Sequence, residues 1–385
     1  MSVDIFNSLE ILSLIIVTTF IIFALFEASK FFNISKEVTF FIFVYHTLIS
    51  TFFLFFDLNA GLDAAGWYNK STLNVSTYFG NNFMYFFSAI LKLIGIKYLA
   101  QNMIFNYFGT LTLVIFYSKI KEFCKHHSDK KIFYIIVTII FVPGLSFWTS
   151  GITKDVLSIF GLVLLYFSIS KKINYKFLLI SILFIFFSRP FLLIFFIFSF
   201  YIYKIFSIIF SNRIKTNTKI FLFFLFTLIL YPLILSLNFL KFYIPQFEVS
   251  YDLYYLIEKI IGYVKVSQKF YLSSNLSVPL DSHFYLRFFY FLFMPLNADF
   301  SNIFFLYFFI ENIYLIFLII LVILKFRYNP AKITQLLKVF YLGIFFMFIY
   351  FPIAFSNYGI ALRYKWMIIP FLILFFLQFK VYRKS

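Results

Sequence analysis

The sequence predicts an all-α polytopic integral membrane protein that forms a single membrane domain over residues 1–385. Its residues are 63% hydrophobic and only 12% charged, whereas a water-soluble globular chain is about half apolar. Apolar runs of roughly 15 to 22 residues recur along the chain, the length that a helix needs to cross about 30 Å of hydrocarbon. These runs do not alternate polar with apolar residues, so we expect helices rather than a barrel.

The apolar runs predict about eleven transmembrane helices. They cover residues 9–26, 38–56, 98–117, 132–148, 156–170, 176–187, 191–210, 220–240, 303–324, 336–355 and 366–379. Lysine and arginine cluster in alternate connections: Lys30 and Lys36; Lys119, Lys121, Lys125, Lys130 and Lys131; Lys171 and Lys172; Arg213, Lys215 and Lys219; Lys325, Arg327 and Lys332; Lys380, Arg383 and Lys384. Because basic loops stay on the cytoplasmic side, this alternation predicts an N-terminus outside and a C-terminus inside.

The termini and the overall charge fit the same scheme. Asp4 lies before the first span, Glu10 at its start and Lys30 after it, the reverse of a signal peptide, so we expect that span to be retained. The formal net charge of +18 is explained first by cytoplasmic loops, and a nucleic-acid partner is not expected.

Two long segments, 57–97 and 241–302, are predicted on the outer face, each with an amphipathic helix that lies in the membrane interface. In the first segment the apolar stripe is Phe83, Phe87, Ile90, Leu91 and Ile94; in the second it is Leu253, Leu256, Ile257, Ile260, Ile261 and Val264. A short third span at the first stripe is the alternative, but it would invert the orientation of everything that follows.

Several charges on the predicted outer face are not needed to orient the chain. They are Lys154, Asp155, Arg189, Arg363 and Lys365, each at or near the end of a predicted span, and Arg287 in the outer segment 241–302. Lys154 and Asp155 belong to the polar step 148–155 between two spans, where we expect Asp155 to neutralise Lys154. Snorkelling to the headgroups explains any one of these cations, but a whole set on one face favours a binding site.

A cationic outer pocket suits a membrane-embedded substrate that carries a diphosphate and a polar head, such as a polyprenyl-diphosphate sugar. Transfer of the sugar requires a base for the accepting hydroxyl and positive charge at the departing diphosphate. Candidate bases are Asp63, Asp57, Asp155 and His283, and each carboxylate alone could equally be a solvated loop residue. No motif for a cofactor or a metal stands in the sequence, and neither is expected.

Glu311 is the acidic residue deepest inside a predicted span. It fits an ion or proton relay, or alternatively a hydrogen bond between helices or a partner for an outer arginine.

The order of four short motifs resembles bacterial polysaccharide-assembly membrane proteins of the O-antigen polymerase type. The motifs are the polar step 148–155, Ser188-Arg189-Pro190, the stretch 357–365 before Pro370, and the stretch 63–68. The resemblance also extends to integral membrane glycosyltransferases that use a lipid carrier. One departure is that the long outer segment holds a single arginine, Arg287.

The resemblance implies a polymerase in the bacterial inner membrane that joins repeat units carried on undecaprenyl diphosphate at the periplasmic face. By the same resemblance Asp63 acts as a base, Arg189 and Arg363 bind carrier or glycan, and membrane lipid, a chain-length regulator and a flippase are partners. A transferase of a single sugar, a flippase for the lipid-linked unit and an inert assembly component stay open as alternatives.

Overall fold

A computed structural model describes residues 7–60, 63–76, 78–124, 130–210, 284–293, 303–325, 334–354 and 358–378. These residues form helices and no β-strand. The first helices are α1 (Ser8–Phe31), α2 (Lys36–Ala60), α3 (Asp63–Asn69), α4 (Gly80–Leu93), α5 (Tyr98–Cys124), α6 (Lys130–Val137), α7 (Pro143–Trp148), α8 (Lys154–Ile169), α9 (Tyr175–Ser188) and α10 (Phe191–Ile209). Then follow α11 (Phe284–Phe293), α12 (Ile303–Lys325), α13 (Gln335–Ala354), α14 (Tyr358–Tyr364) and α15 (Ile369–Gln378).

Six helical segments in these ranges are long and apolar enough to cross a membrane. They are Ser8–Phe31, Lys36–Leu58, Tyr98–Cys124, Phe191–Ile209, Gln335–Pro352 and Ala361–Gln378. On α1, Phe20 and Phe23 leave 72% and 68% of their surface exposed, which is natural against lipid and unfavourable against water. The prediction of an all-α membrane protein is confirmed at this level, and the count of about eleven spans stays a prediction. The predicted span at 220–240 and the amphipathic helix in 241–302 lie outside the described residues.

The predicted span 132–148 is not one continuous helix. It consists of α6, a 3₁₀ turn over Thr138–Phe141, and the short helix α7. Pro143 causes the break, because a residue before proline avoids the helical conformation and Val142 is extended. Proline then fits the first turn of α7, where its missing N–H needs no partner.

The helices belong to two compact units. The first takes its described residues from Met1–Leu193, Phe293–Leu337 and Leu362–Ser385, and the second from Ile194–Leu292 and Lys338–Ala361. In the second unit the ring of Phe196 stacks on Phe340 at 5.3 Å between centroids, and Phe291 lies 6.3 Å from Phe351. The polar clusters described below belong to the first unit.

Helices α8 and α9 form an antiparallel hairpin in the first unit. The Thr153 hydroxyl accepts the Val156 N–H at 3.3 Å and begins α8, and the Asn174 side chain accepts the Phe177 N–H at 3.3 Å and begins α9. At the far end of the hairpin, Ser158 donates to the Ser188 hydroxyl at 3.0 Å. The start of α8 therefore lies beside the end of α9.

Candidate functional site

The polar step 148–155 is packed against neighbouring helices rather than solvated. Thr149 and Ser150 are fully buried, and the Thr149 hydroxyl lies 3.0 Å from Nε2 of His46 on α2. Gly151 has a φ of +74°, a left-handed conformation that favours glycine, and the ring of Phe53 occupies the space that a side chain would need. The step is thus a fixed structural element at the start of α8.

Asp155 and Arg189 form a buried ion pair across the ends of the α8–α9 hairpin. Nη2 of Arg189 contacts Oδ1 of Asp155, and the two side chains are 8% and 2% exposed. Nη1 of Arg189 donates to the Tyr364 hydroxyl, and the guanidinium carbon lies 4.5 Å from the centroid of the Tyr364 ring. Asp155 was expected to neutralise Lys154, but its partner in the structure is Arg189.

Lys154 reaches across to α4, where its Nζ donates to Oδ1 of Asn81 at 2.6 Å. Burial, together with the positive charge of Arg189, lowers the pKa of Lys154 to about 8. Burial would raise the pKa of Asp155, but the charges of Arg189 and Arg363 outweigh burial and hold this pKa below its ordinary value. The positive charges of Arg189 and Arg363 therefore shift the pKa values of both Lys154 and Asp155.

Arg363 is the more open of the two arginines that the structure brings to this cluster. Its guanidinium carbon lies 4.5 Å from the centroid of the Trp148 ring, and Nη1 lies 3.8 Å from Oδ2 of Asp63. The Arg363 side chain is 26% exposed and that of Asp63 is 60% exposed. Nε of Arg363 has no hydrogen-bond partner among the described residues.

Lys365 is fully buried in a second ion pair, with Glu311 of α12. Nζ of Lys365 lies 3.1 Å from Oε1 of Glu311 and donates to Oδ1 of Asn312 at 2.8 Å. Oε2 of Glu311 accepts the backbone N–H of Gly144 at 2.9 Å, in the first turn of α7. Glu311 thus links two helices and neutralises a lysine, which agrees with the alternative of a structural partner.

Three consecutive residues, Arg363 to Lys365, each make one of these contacts. Arg363 contacts Trp148, Tyr364 contacts Arg189, and Lys365 contacts Glu311. Arg189 and Lys365 are buried in ion pairs, whereas Lys154 and Arg363 are partly exposed. Within this cluster, Lys154 and Arg363 are consequently the cations with room for an incoming anion.

The candidate bases are placed very differently. Both carboxylate oxygens of Asp57 are occupied, by the N–H groups of Ala64 and Ala65 at 3.2 and 2.9 Å and by the Tyr98 hydroxyl at 2.8 Å. Asp63 is the exposed carboxylate beside Arg363. His283 lies outside the described residues.

The remaining predicted cation, Arg287, is partly buried on α11, in the second unit.

Several polar residues around the site were not expected from the sequence. Nδ1 of His46 contacts Oδ1 of Asn106, and the Asn106 amide donates to the Thr47 hydroxyl at 2.9 Å. A histidine and an asparagine inside predicted spans were the signal that could have revealed this network. Comparisons of the chain with protein-family models, with curated proteins and with solved structures found no match.

Proposed function

We propose that the protein is a glycosyltransferase of polysaccharide assembly, an O-antigen-type polymerase that joins repeat units carried on undecaprenyl diphosphate at the periplasmic face of the bacterial inner membrane. The observation that carries the proposal is the placement of two partly exposed cations, Lys154 and Arg363, beside the exposed carboxylate of Asp63. The resemblance of the motif order to that family supports the same assignment.

The chemistry requires one bond to form and one to break. An acceptor hydroxyl of one unit attacks the anomeric carbon of the other, the bond from that carbon to the diphosphate oxygen breaks, and the hydroxyl proton goes to Asp63. Arg363 and Lys154 bind the diphosphate as it gains negative charge, and electrostatic stabilisation of this kind is worth about 10² to 10³ in rate for one donor. The buried pairs Asp155–Arg189 and Glu311–Lys365 hold Lys154 and Arg363 in place.

The topology that we propose has about eleven spans, with the N-terminus periplasmic and the C-terminus cytoplasmic. Helix α4, Gly80–Leu93, is a 14-residue amphipathic helix, and we assign it to the outer interface. A chain-length regulator and a flippase would act with the protein at this face.

The first test is the lipopolysaccharide ladder of a strain that lacks the gene, complemented by the variants Arg363→Gln, Lys154→Gln and Asp63→Asn. A polymerase predicts that each variant loses the ladder and keeps the single repeat unit, with protein levels in the membrane unchanged. Lys70→Gln is the matched control, because Lys70 is an exposed lysine that directly follows α3. A normal ladder in all three variants would contradict the proposed site.

A transferase that adds one sugar is the second candidate, because one exposed carboxylate and two available cations suffice for a single diphosphate. It predicts that deletion removes the whole O-antigen rather than only its extension. A purified transferase of this kind would attach one sugar to its acceptor and then stop. A flippase predicts an accumulated lipid-linked unit on the cytoplasmic side instead.

A further inference from the structure

A cavity of about 950 Å³ lies at the end of the first unit away from Lys154 and Asp155. It is enclosed by the last turns of α1, α5 and α8, by the start of α9 and by α6. Helix α8 has 16 residues, which at about 1.5 Å per residue separates its two ends by about 24 Å. The cavity is therefore distinct from the candidate glycosyltransfer site.

The wall of the cavity is strongly cationic. Its charged residues are the lysines Lys119, Lys121, Lys171 and Lys172 and one carboxylate, Glu122. Glu122 is shared between Lys119 at 3.3 Å and Lys171 at 3.0 Å. Neither Lys121 nor Lys172 has a carboxylate partner within the described ranges. Two exposed ammonium groups are thus left for an anion from outside the protein.

One of the lysines that line the cavity is buried. Lys119 is 3% exposed, its Nζ donates to the Ser170 hydroxyl at 2.8 Å, and it lies 5.0 Å from the centroid of the Phe167 ring. The Ser170 hydroxyl in turn donates to the Phe167 carbonyl at 3.0 Å, so this pair offers a phosphate the positive charge of Lys119.

Much of the remaining wall is aromatic, with Asn33, Ser118, Cys124 and Asn174 between the rings, and it lies at the ends of candidate spans. Phe31, Phe32 and Phe167 line it together with Tyr117 and Phe133. Because α1 and α5 are both candidate membrane spans, their last turns fall at the level of the lipid headgroups. A ligand here has its charged part among lysines and an apolar part against aromatic rings.

We propose that this cavity binds the phosphate headgroup of an anionic phospholipid of the leaflet opposite the Lys154–Arg363 site. Lys121 and Lys172 contact the phosphate, Lys119 lies beneath it, and the acyl chains follow the aromatic wall toward α1. The proposal does not depend on the reaction that the protein catalyses.

The test uses the purified full chain and a short-chain phosphatidylglycerol, with binding measured by native mass spectrometry or calorimetry. The double variant Lys121→Gln/Lys172→Gln leaves both ion pairs of Glu122 intact, so the fold is preserved. At about 1 kcal/mol for each lysine, affinity should fall about 30-fold. The control Lys70→Gln/Lys97→Gln removes the same charge away from the cavity and should bind like the wild type.

Two further arms separate the sources of the phosphate. Short-chain phosphatidylcholine should bind weakly to every variant, and inorganic phosphate should fail to displace the phosphatidylglycerol. Equal binding of phosphatidylglycerol by the wild type and the double variant overturns the proposal. Displacement by inorganic phosphate at comparable concentration overturns the assignment to a lipid.

Discussion

Arg189 is bound on two sides, by the Asp155 carboxylate and by the Tyr364 hydroxyl, and it is only 7% exposed. An arginine in this position cannot also bind a diphosphate unless it loses its contact with one of these partners. Its charge instead compensates Asp155, which is 1% exposed. Isolated buried charges are costly, and removal of one member of such a pair is costly for the same reason.

We therefore predict that Arg189→Met and Asp155→Leu each reduce stability strongly, by about 3–5 kcal/mol, because each leaves a buried charge unpaired. The double variant Arg189→Met/Asp155→Leu should be more stable than either single variant. Thermal unfolding in detergent measures this coupling. The exposed pair of Lys30 and Glu27 is the control, and its disruption should cost about 0–1 kcal/mol. Additive losses at Arg189 and Asp155 would show that the pair is not coupled.

Lys154 carries a prediction about pH. Its pKa is lowered to about 8, so the free site loses positive charge as the pH rises through that value. Affinity for a soluble polyprenyl-diphosphate analogue should therefore fall between pH 7 and about 9, whereas an ordinary lysine would stay charged over this range. Lys154→Arg keeps its charge and should remove this dependence. An unchanged pH profile in Lys154→Arg would place the titrating group elsewhere.

Among the helices, α3 depends on a contact from outside itself. Its first N–H groups have no partner within the helix, and the carboxylate of Asp57 on α2 accepts two of them. The Tyr98 hydroxyl donates to the same carboxylate and fixes the start of α5 beside it. Asp57 thereby sets the position of Asp63, the first residue of α3.

This arrangement separates a structural role of Asp57 from a catalytic one. Asp57→Ala should lower stability by about 1–3 kcal/mol, because it leaves buried donors unsatisfied. Tyr98→Phe removes one of the same hydrogen bonds, and it should reduce stability and activity in parallel with Asp57→Ala. Unfolding in detergent and chain extension in cells provide the two readouts. Full stability of Asp57→Ala with complete loss of extension would identify Asp57 as the base instead.

Sequence patterns predicted some helices well and others poorly, for local reasons. Helices α9 and α10 agree closely with the spans 176–187 and 191–210, because apolar runs bounded by polar residues decide them. The run at 132–148 looked equally apolar, but Pro143 divides it and leaves α7 only six residues long. Apolar composition alone does not reveal where a helix is interrupted.

Orientation across the membrane belongs to the whole molecule and has a direct test. The chain has one cysteine, Cys124, so Cys124→Ser gives a cysteine-free background. In that background we predict that Lys70→Cys reacts with a membrane-impermeant maleimide from the periplasm. Lys172→Cys should react only after the membrane is permeabilised. Both lysines are exposed, so access does not depend on local unfolding. The opposite labelling pattern would reverse the proposed orientation.

Long-range pairings limited how much of the site could be predicted. Lys154, Asp155, Arg189, Arg363 and Lys365 could be selected because their charges lie at span ends. The pairs that they form could not be predicted, because Asp155 contacts Arg189 only when α8 and α9 fold into a hairpin. Lys365 looked like an outer-face residue, yet packing against α12 buries it completely. The sequence shows which charges are unusual, and the packing decides which of them remain available.

The run Arg363-Tyr364-Lys365 has a consequence for the alignment of the chain in this region. Successive residues point about 100° apart in an α-helix, where Arg363 and Tyr364 lie, and about 120° apart in a 3₁₀ turn, which Lys365 begins, so each of the three has its own direction and its own partner. Deletion of one residue just before this run would turn all three side chains by about 100°. Arg363, Tyr364 and Lys365 would then lose their contacts with Trp148, Arg189 and Glu311 at the same time. The spacing of this segment is therefore a stricter constraint than the identity of any one residue in it.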